Sequence, residues 1–291
     1  MLDENIMKRL AFIRYLFNLA IEQSQRPEPM CSSAILTFHD SVELFLQLGS
    51  EHHCVSKKTN EFMEYWQILK DEKGLELGQK VSMRRLNKAR VGLKHNGTLP
   101  SRLTIDDFRI SVTNFFDENT PLLFGIDFFG ISLIELVQSE RVKKNLLDAE
   151  EYLTKEDYEN SLDKVALAFR QLIDDYEDRK RDKFGRSPFF FGDSLTFVGS
   201  AHIGTRMVKV IPDEVIRSIE ALQNAVKIIS LGLDYRRYAK FRLLTPFVIR
   251  FIGGKYDVQR IKRKEELTKE EIHFCINFVI ESAVMLQEFD F

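Results

Sequence analysis

Apolar residues recur at intervals of three and four positions along most of this chain, and this spacing is the period of an amphipathic helix. The first half has five such stretches, separated by turn-forming residues such as Arg26-Pro27-Glu28-Pro29. They predict helices over residues 4–24, 32–48, 59–71, 79–95 and 104–118. Asn96-Gly97, with Pro100 beyond it, is a stop signal for the fourth helix. We expect the first four helices to form a bundle and the fifth to follow it.

The second half has the same period but a different organisation. Its pattern predicts a helical hairpin over residues 138–154 and 156–180, and further helices near 213–231, 234–252 and 268–288. The Phe- and Gly-rich stretch from Ser187 to Gly204 has no helical period. The break near Gly125–Gly130 is the best candidate for a domain boundary. We therefore predict an all-α protein, with a four- or five-helix bundle at residues 1–125 and a second helical domain at 126–291.

Composition narrows the class of protein. With 44% hydrophobic and 30% charged residues among 291, the chain can bury a sizeable core, and a net charge of −2 gives no overall attraction to nucleic acid. The first twenty residues carry Asp3, Glu4, Lys8, Arg9 and Arg14 instead of a signal peptide, and no apolar run is long enough to cross a bilayer. We expect a cytoplasmic protein with no membrane segment. Its three cysteines do not suggest a disulfide framework, and we predict that His52-His53-Cys54 is a loop and not a metal site.

Positive charge is concentrated in the fourth predicted helix and just beyond it. Between Leu77 and Ile105 there are seven Lys or Arg residues and no Asp or Glu, although the chain has 44 acidic residues. A local basic stripe of this kind is the electrostatic footprint of a phosphate-bearing partner. We expect RNA phosphates to bind Lys80, Arg84, Arg85, Lys88 and Arg102.

The same segment carries an Arg-x4-His pair, Arg90 and His95. It resembles the signature of HEPN domains, small helical bundles in which an Arg-x(4–6)-His motif lies near the end of the last core helix. Lys94-His95-Asn96-Gly97 followed by Leu99-Pro100 is also typical of that family, and the stretch from Ala34 to Leu46 resembles its second helix. The resemblance covers roughly residues 1–120. The second half could be a degenerate copy of the same bundle, but it lacks an Arg-x(4–6)-His pair.

The resemblance implies a metal-independent endoribonuclease, as in toxin-like or phage-defence effectors, that needs no cofactor. A histidine can take the proton from a ribose 2′-OH, and a guanidinium can hold two phosphoryl oxygens in the transition state. The products would be a 2′,3′-cyclic phosphate and a 5′-hydroxyl. Many active HEPN ribonucleases carry Asn, Asp or His after the Arg, where this chain has Val91. The alternative is a non-catalytic module that binds RNA or a protein partner, such as an antitoxin.

The spacing of the pair limits how one chain could build a site. Five positions along an ideal helix turn the chain by about 140°, so His95 and Arg90 would not share a face. His95 could reach Arg90 from a frayed helix end, or two chains of a homodimer could each contribute. HEPN ribonucleases are generally two-fold dimers, which favours the second route.

Other side chains could support the pair. Glu43 is the preferred candidate to orient Arg90, with Asp40 beside it, although both could be ordinary solvent-facing acids. Arg90 and His95 themselves could be a surface cation and a helix-terminal histidine that the helix dipole favours. The remaining residues that we expect to support the site are Asn87, Lys94 and Asn96.

Overall fold

The computed structural model describes residues 2–59, 61–192, 200–203, 206–209, 212–251, 253–260 and 266–288. Within these ranges the protein is all-α with two short β-hairpins, which confirms the predicted fold class. The helices are α1 Glu4–Ser24, α2 Ala34–His52, α3 Tyr65–Lys73, α4 Lys80–Asn96, α5 Arg102–Phe124, α6 Glu140–Thr154, α7 Tyr158–Arg179, α8 Asp213–Ser230, α9 Tyr235–Leu244 and α10 Lys269–Glu288. The strands are β1 Ser200–Ile203, β2 Arg206–Lys209, β3 Phe247–Arg250 and β4 Tyr256–Gln259.

The chain divides into two compact units, Met1–Leu136 and Val137–Phe291. Gly125, in the left-handed conformation, ends α5, but it does not end the first unit. The chain beyond it returns to the core of that unit, where the ring of Phe128 stacks on Phe116 with centroids 4.1 Å apart. The boundary therefore lies between residues 136 and 137, beyond the break predicted near 125–130.

The first unit is built around α2, which packs against α1, α3, α4 and α5. Its core is rich in phenylalanine, which α1, α2 and α5 contribute from their buried faces. Phe45 of α2, for example, meets Phe115 and Phe116 of α5 edge-on. By contrast, α4 buries only Met83 and Leu86 completely. Most of the surface of α4 is therefore left outside the core.

The second unit contains the predicted hairpin of α6 and α7, which pack against each other along their length. Asp157 caps α7 by accepting a hydrogen bond from the backbone N–H of Asn160 at 3.2 Å. One face of α7 also packs against α10 and against β3 and β4.

The predicted helix over residues 234–252 is wrong in its second half. It ends at Leu244, because Thr245 precedes Pro246 and a residue before proline is forced out of the helical region. The chain continues as β3, which pairs antiparallel with β4. The hairpin of β1 and β2 was not predicted either, and residues 193–199 and 204 of the Phe- and Gly-rich stretch lie outside the described residues.

No helix in the described ranges combines the length and the apolar character that crossing a membrane requires.

Candidate functional site

The start of α4 is fixed by contacts with two neighbouring helices. Trp66 of α3 donates a hydrogen bond from its indole N–H to the carbonyl oxygen of Gly78 at 3.0 Å. The backbone N–H of Gly78 donates in turn to the buried side chain of Asn119 on α5, at 2.8 Å. Gln79 then adopts a left-handed conformation, and α4 begins at Lys80. The basic helix is thus held firmly at its first turn.

The end of α4 follows the predicted stop signal. Gly97 has a φ of 65°, a conformation that glycine adopts without the steric cost of a side chain. The backbone N–H of Thr98 donates back to the carbonyl oxygen of Gly92 at 3.1 Å, as expected when a left-handed residue closes a helix. Since α4 stays helical through Asn96, the frayed end that could have brought His95 to Arg90 is not present.

The exposed face of α4 is basic. We define the α4 basic face as Arg84, Arg85, Lys88 and His95, all of which are exposed. At about 100° per residue these positions fall within one half of the helix surface, on the side opposite Met83 and Leu86. None of the four makes a hydrogen bond or an ion pair with another described residue. Their charge is therefore free to meet a partner from outside the chain.

The other predicted phosphate ligands, Lys80 and Arg102, and the predicted supporting residues Lys94 and Asn96 differ in their surroundings. Lys80 is half-buried, while Lys94 and Asn96 are exposed, and none of the three has a bonded partner among the described residues. Arg102 is occupied within the chain. Its guanidinium donates to the carbonyl oxygen of Arg26 at 3.0 Å and lies 3.4 Å from Asp106. Arg102 thus ties the start of α5 to the loop after α1, and we leave it out of the candidate RNA-binding surface.

The structure does not bring Arg90 and His95 together. Arg90 is half-buried, whereas His95 is exposed. On a regular helix their side chains leave the axis about 140° apart, and Arg90 lies nearer to the edge that packs on α2. Neither residue forms an ion pair or a hydrogen bond with any other described residue. A single chain therefore presents the two halves of the motif on different sides of α4.

The residues predicted to orient Arg90 converge on a different side chain, His39 of α2. Its Nδ1 lies 3.6 Å from a Glu43 carboxylate oxygen and 3.9 Å from one of Asp40. Its Nε2 lies 3.1 Å from the Oδ1 of Asn87, on α4. Glu43, Asp40 and Asn87 thus surround His39, and within the described residues they make no ion pair with Arg90.

His39 was missed as a candidate from the sequence. It is only 2% exposed, and its ring stacks on Phe62 with centroids 4.3 Å apart. The signal that could have found it is the spacing of His39 and Glu43, four residues apart on one helix face and next to the apolar Phe38 and Val42. A buried imidazole needs polar partners, and the acids Asp40 and Glu43 lie close to His39 in the sequence.

The Glu43 carboxylate also affects Tyr65, a residue of α3. Burial raises the pKa of the Tyr65 hydroxyl above its ordinary value, and the Glu43 carboxylate raises this pKa further. The Tyr65 hydroxyl donates to the carbonyl oxygen of Thr59 at 3.2 Å. Glu43 therefore lies between a buried histidine and a tyrosine that stays protonated at neutral pH.

Comparison with known proteins identifies no relative. No protein-family model matches this sequence, and no curated protein and no solved structure matches it either. The likeness to HEPN domains thus stays a prediction that rests on the residues of α2 and α4.

Proposed function

We propose that this protein is a metal-independent endoribonuclease that binds RNA phosphates through the α4 basic face. The observation that carries the proposal is that His95 shares an exposed helix face with Arg84, Arg85 and Lys88, none of which has a partner among the described residues. Phosphate contacts from such cations supply most of the affinity of proteins for nucleic acid. A histidine on the same face would lie beside the bound RNA backbone.

The proposed reaction is transesterification within the RNA strand. His95 takes the proton from a ribose 2′-OH, and the oxygen attacks the adjacent phosphorus while the bond to the 5′-oxygen breaks. The proton that His95 has taken up then passes to the departing 5′-oxygen, which becomes the 5′-hydroxyl. The guanidinium of Arg90 binds the non-bridging oxygens, whose negative charge grows in the transition state. The products are a 2′,3′-cyclic phosphate and a 5′-hydroxyl. These two side chains supply a base and a positive charge, so the step itself needs no metal ion.

The separation of Arg90 and His95 on α4 supports a site that two chains share. In a two-fold dimer the same patch of each chain meets its counterpart, so the Arg90 of one copy can approach the His95 of the other. The apolar residue Val81 of α4, which is 70% exposed, offers nonpolar area to such a contact. A toxin-like or phage-defence role in the cytoplasm, with an antitoxin as a protein partner, is the biological setting that the HEPN resemblance favours.

The test is cleavage of mixed RNAs by the purified chain in EDTA, followed by chemical typing of the new ends. We expect cyclic-phosphate and 5′-hydroxyl ends from the wild type and no cleavage by His95→Ala. The matched control is His52→Gln, which removes an imidazole at the end of α2 and should cut normally. Circular dichroism would show that each variant is folded. Cleavage that requires Mg²⁺, or that survives in His95→Ala, would contradict the proposal.

A second candidate is a non-catalytic module that uses the same surface to bind RNA or a protein. The observation that favours it is Val91, which follows Arg90 and is 41% exposed beside the basic residues. Exposed apolar side chains also flank this helix at Leu99 and Leu103. A surface that mixes cations with apolar residues suits a protein partner as well as RNA. RNA binding without any new ends in the same assay would favour this candidate.

A further inference from the structure

We propose that His39, Asp40 and Glu43 form a binding site for one divalent transition-metal ion of the Zn²⁺ type. The proposal does not depend on the ribonuclease chemistry, because none of these residues takes part in it. All three lie on the second and third turns of α2, and each offers one ligand atom. These atoms lie within 4.8 Å of one another. Three ligands from one helix are thus already gathered around a common point.

The strongest reason to place a cation there is the buried Nδ1 atom of His39. The ring is 2% exposed, and Nδ1 has no hydrogen-bond partner. On the other side of the ring, Nε2 lies 3.1 Å from the Oδ1 of Asn87, and an amide oxygen only accepts. When Nε2 donates to this oxygen, the lone pair of a neutral imidazole is on Nδ1, where it faces two carboxylates. A positive ion between them removes that repulsion.

The distances suit a small ion with nitrogen and oxygen ligands. Zn²⁺ binds imidazole nitrogen and carboxylate oxygen at about 2.0–2.2 Å, so two ligands of a tetrahedral site lie about 3.4 Å apart. The Nδ1 of His39 lies 3.6 Å from Glu43 and 3.9 Å from Asp40. These separations exceed the tetrahedral value by a few tenths of an ångström. The Asp40 side chain is 58% exposed, so it can rotate toward the ion.

The ligand set also selects the class of metal. One imidazole and two carboxylates suit zinc, manganese, iron and the ions between them in the first transition row. Mg²⁺ and Ca²⁺ prefer sites made of oxygen alone. We therefore expect Zn²⁺ to bind and Mg²⁺ to compete poorly for the same site.

Groups outside the ligand set hold the imidazole in place, as they do in known metal sites. Asn87 fixes which nitrogen is protonated, and the stacked ring of Phe62 fixes the plane of the imidazole. Asn87 belongs to α4 and lies one turn before Arg90. A bound ion would thus hold in place the His39 imidazole, whose contact with Asn87 connects α2 to α4.

The alternative occupant is a proton. A doubly protonated His39 would form ion pairs with Asp40 and Glu43 and would leave no lone pair for a metal. The two occupants differ in what the isolated protein binds, so titration with metal separates them.

The experiment is calorimetric titration of EDTA-treated and then desalted protein with Zn²⁺, beside the same titration with Mg²⁺. We expect one Zn²⁺ per chain and a higher melting temperature with zinc. The exposed Asp40→Asn and the half-buried Glu43→Gln change single ligands without opening the core, and each should weaken Zn²⁺ binding at least about tenfold. Asn87→Ala should weaken it by roughly tenfold through the lost hydrogen bond to Nε2.

The matched control is Asp107→Asn, which removes one exposed carboxylate from α5 of the same unit and should bind Zn²⁺ as the wild type does. Circular dichroism verifies that each variant is folded before titration. A wild-type chain that binds no Zn²⁺ would overturn the proposal and leave the proton as the occupant. Equal Zn²⁺ affinity in wild type, Asp40→Asn and Glu43→Gln would overturn it as well, because the ion would then lie elsewhere.

Discussion

If the α4 basic face binds RNA phosphates, the affinity for RNA should depend on salt concentration in a way that can be calculated. The three Lys and Arg residues of this face, Arg84, Arg85 and Lys88, are exposed and have no described partner. If each contacts one phosphate of a single strand, the slope of log affinity against log salt is about −2.1. A roughly fourfold rise in salt should then weaken binding about twentyfold. Lys88→Gln removes one contact, so its slope should be about −1.4 and the same rise should weaken binding about sevenfold.

Fluorescence anisotropy with a labelled single-stranded RNA measures these slopes. The wild-type surface should be studied in the His95→Ala background, so that the RNA stays intact during the titration. Lys70→Gln is the matched control, because Lys70 lies on α3 and is already paired with Glu76 at 2.5 Å. Its slope should equal that of the parent. Binding that does not depend on salt, or an unchanged slope in Lys88→Gln, would refute the assignment of α4 to RNA phosphates.

Three further predictions concern the core, the second unit and the exposed histidine. Asn119→Ala leaves the backbone N–H of Gly78 without its acceptor, so urea unfolding should show a loss of about 1–3 kcal/mol. Burial raises the pKa of Glu177, but hydrogen bonds from a lysine and a serine outweigh it and lower this pKa below its ordinary value. The stability that the Glu177 carboxylate contributes is therefore present at neutral pH and lost as pH falls below 4.5. In Glu177→Gln the melting temperature should fall less than in the wild type between neutral pH and pH below 4.5. His95→Gln should leave the melting temperature unchanged, because His95 is exposed and has no described partner.

Helical period was enough to predict most of the fold. The bounds of α1 follow directly from its apolar spacing, and Gly97 ends α4 where the sequence has its stop signal. The error after Leu244 has a local cause, since Pro246 broke a run that was apolar enough to continue as a helix. The division between the two units lies beyond the predicted break, because a glycine that ends a helix does not reveal whether the following chain returns to the same core.

The candidate site was less accessible to sequence reasoning. The basic charge of α4 and the wide angle between Arg90 and His95 follow from spacing alone. The partner of Asn87 does not, because it depends on how α2 packs against α4. That packing places Asn87 near Nε2 of His39, while Asp40 and Glu43 of α2 itself lie near Nδ1. Likewise, the contacts of Arg102 with Arg26 depend on a turn that no periodic pattern describes.

The most direct test of the account is to mix two inactive chains, Arg90→Ala and His95→Ala, and to assay RNA cleavage in EDTA. If two copies share each site, the heterodimer has one site with an intact Arg90 and an intact His95 from different chains. Random pairing should then restore about a quarter of the wild-type activity. Light scattering would confirm that the mixture is dimeric. An inactive mixture, or a wild type that is monomeric and still cuts RNA at nanomolar concentration, would contradict the shared site.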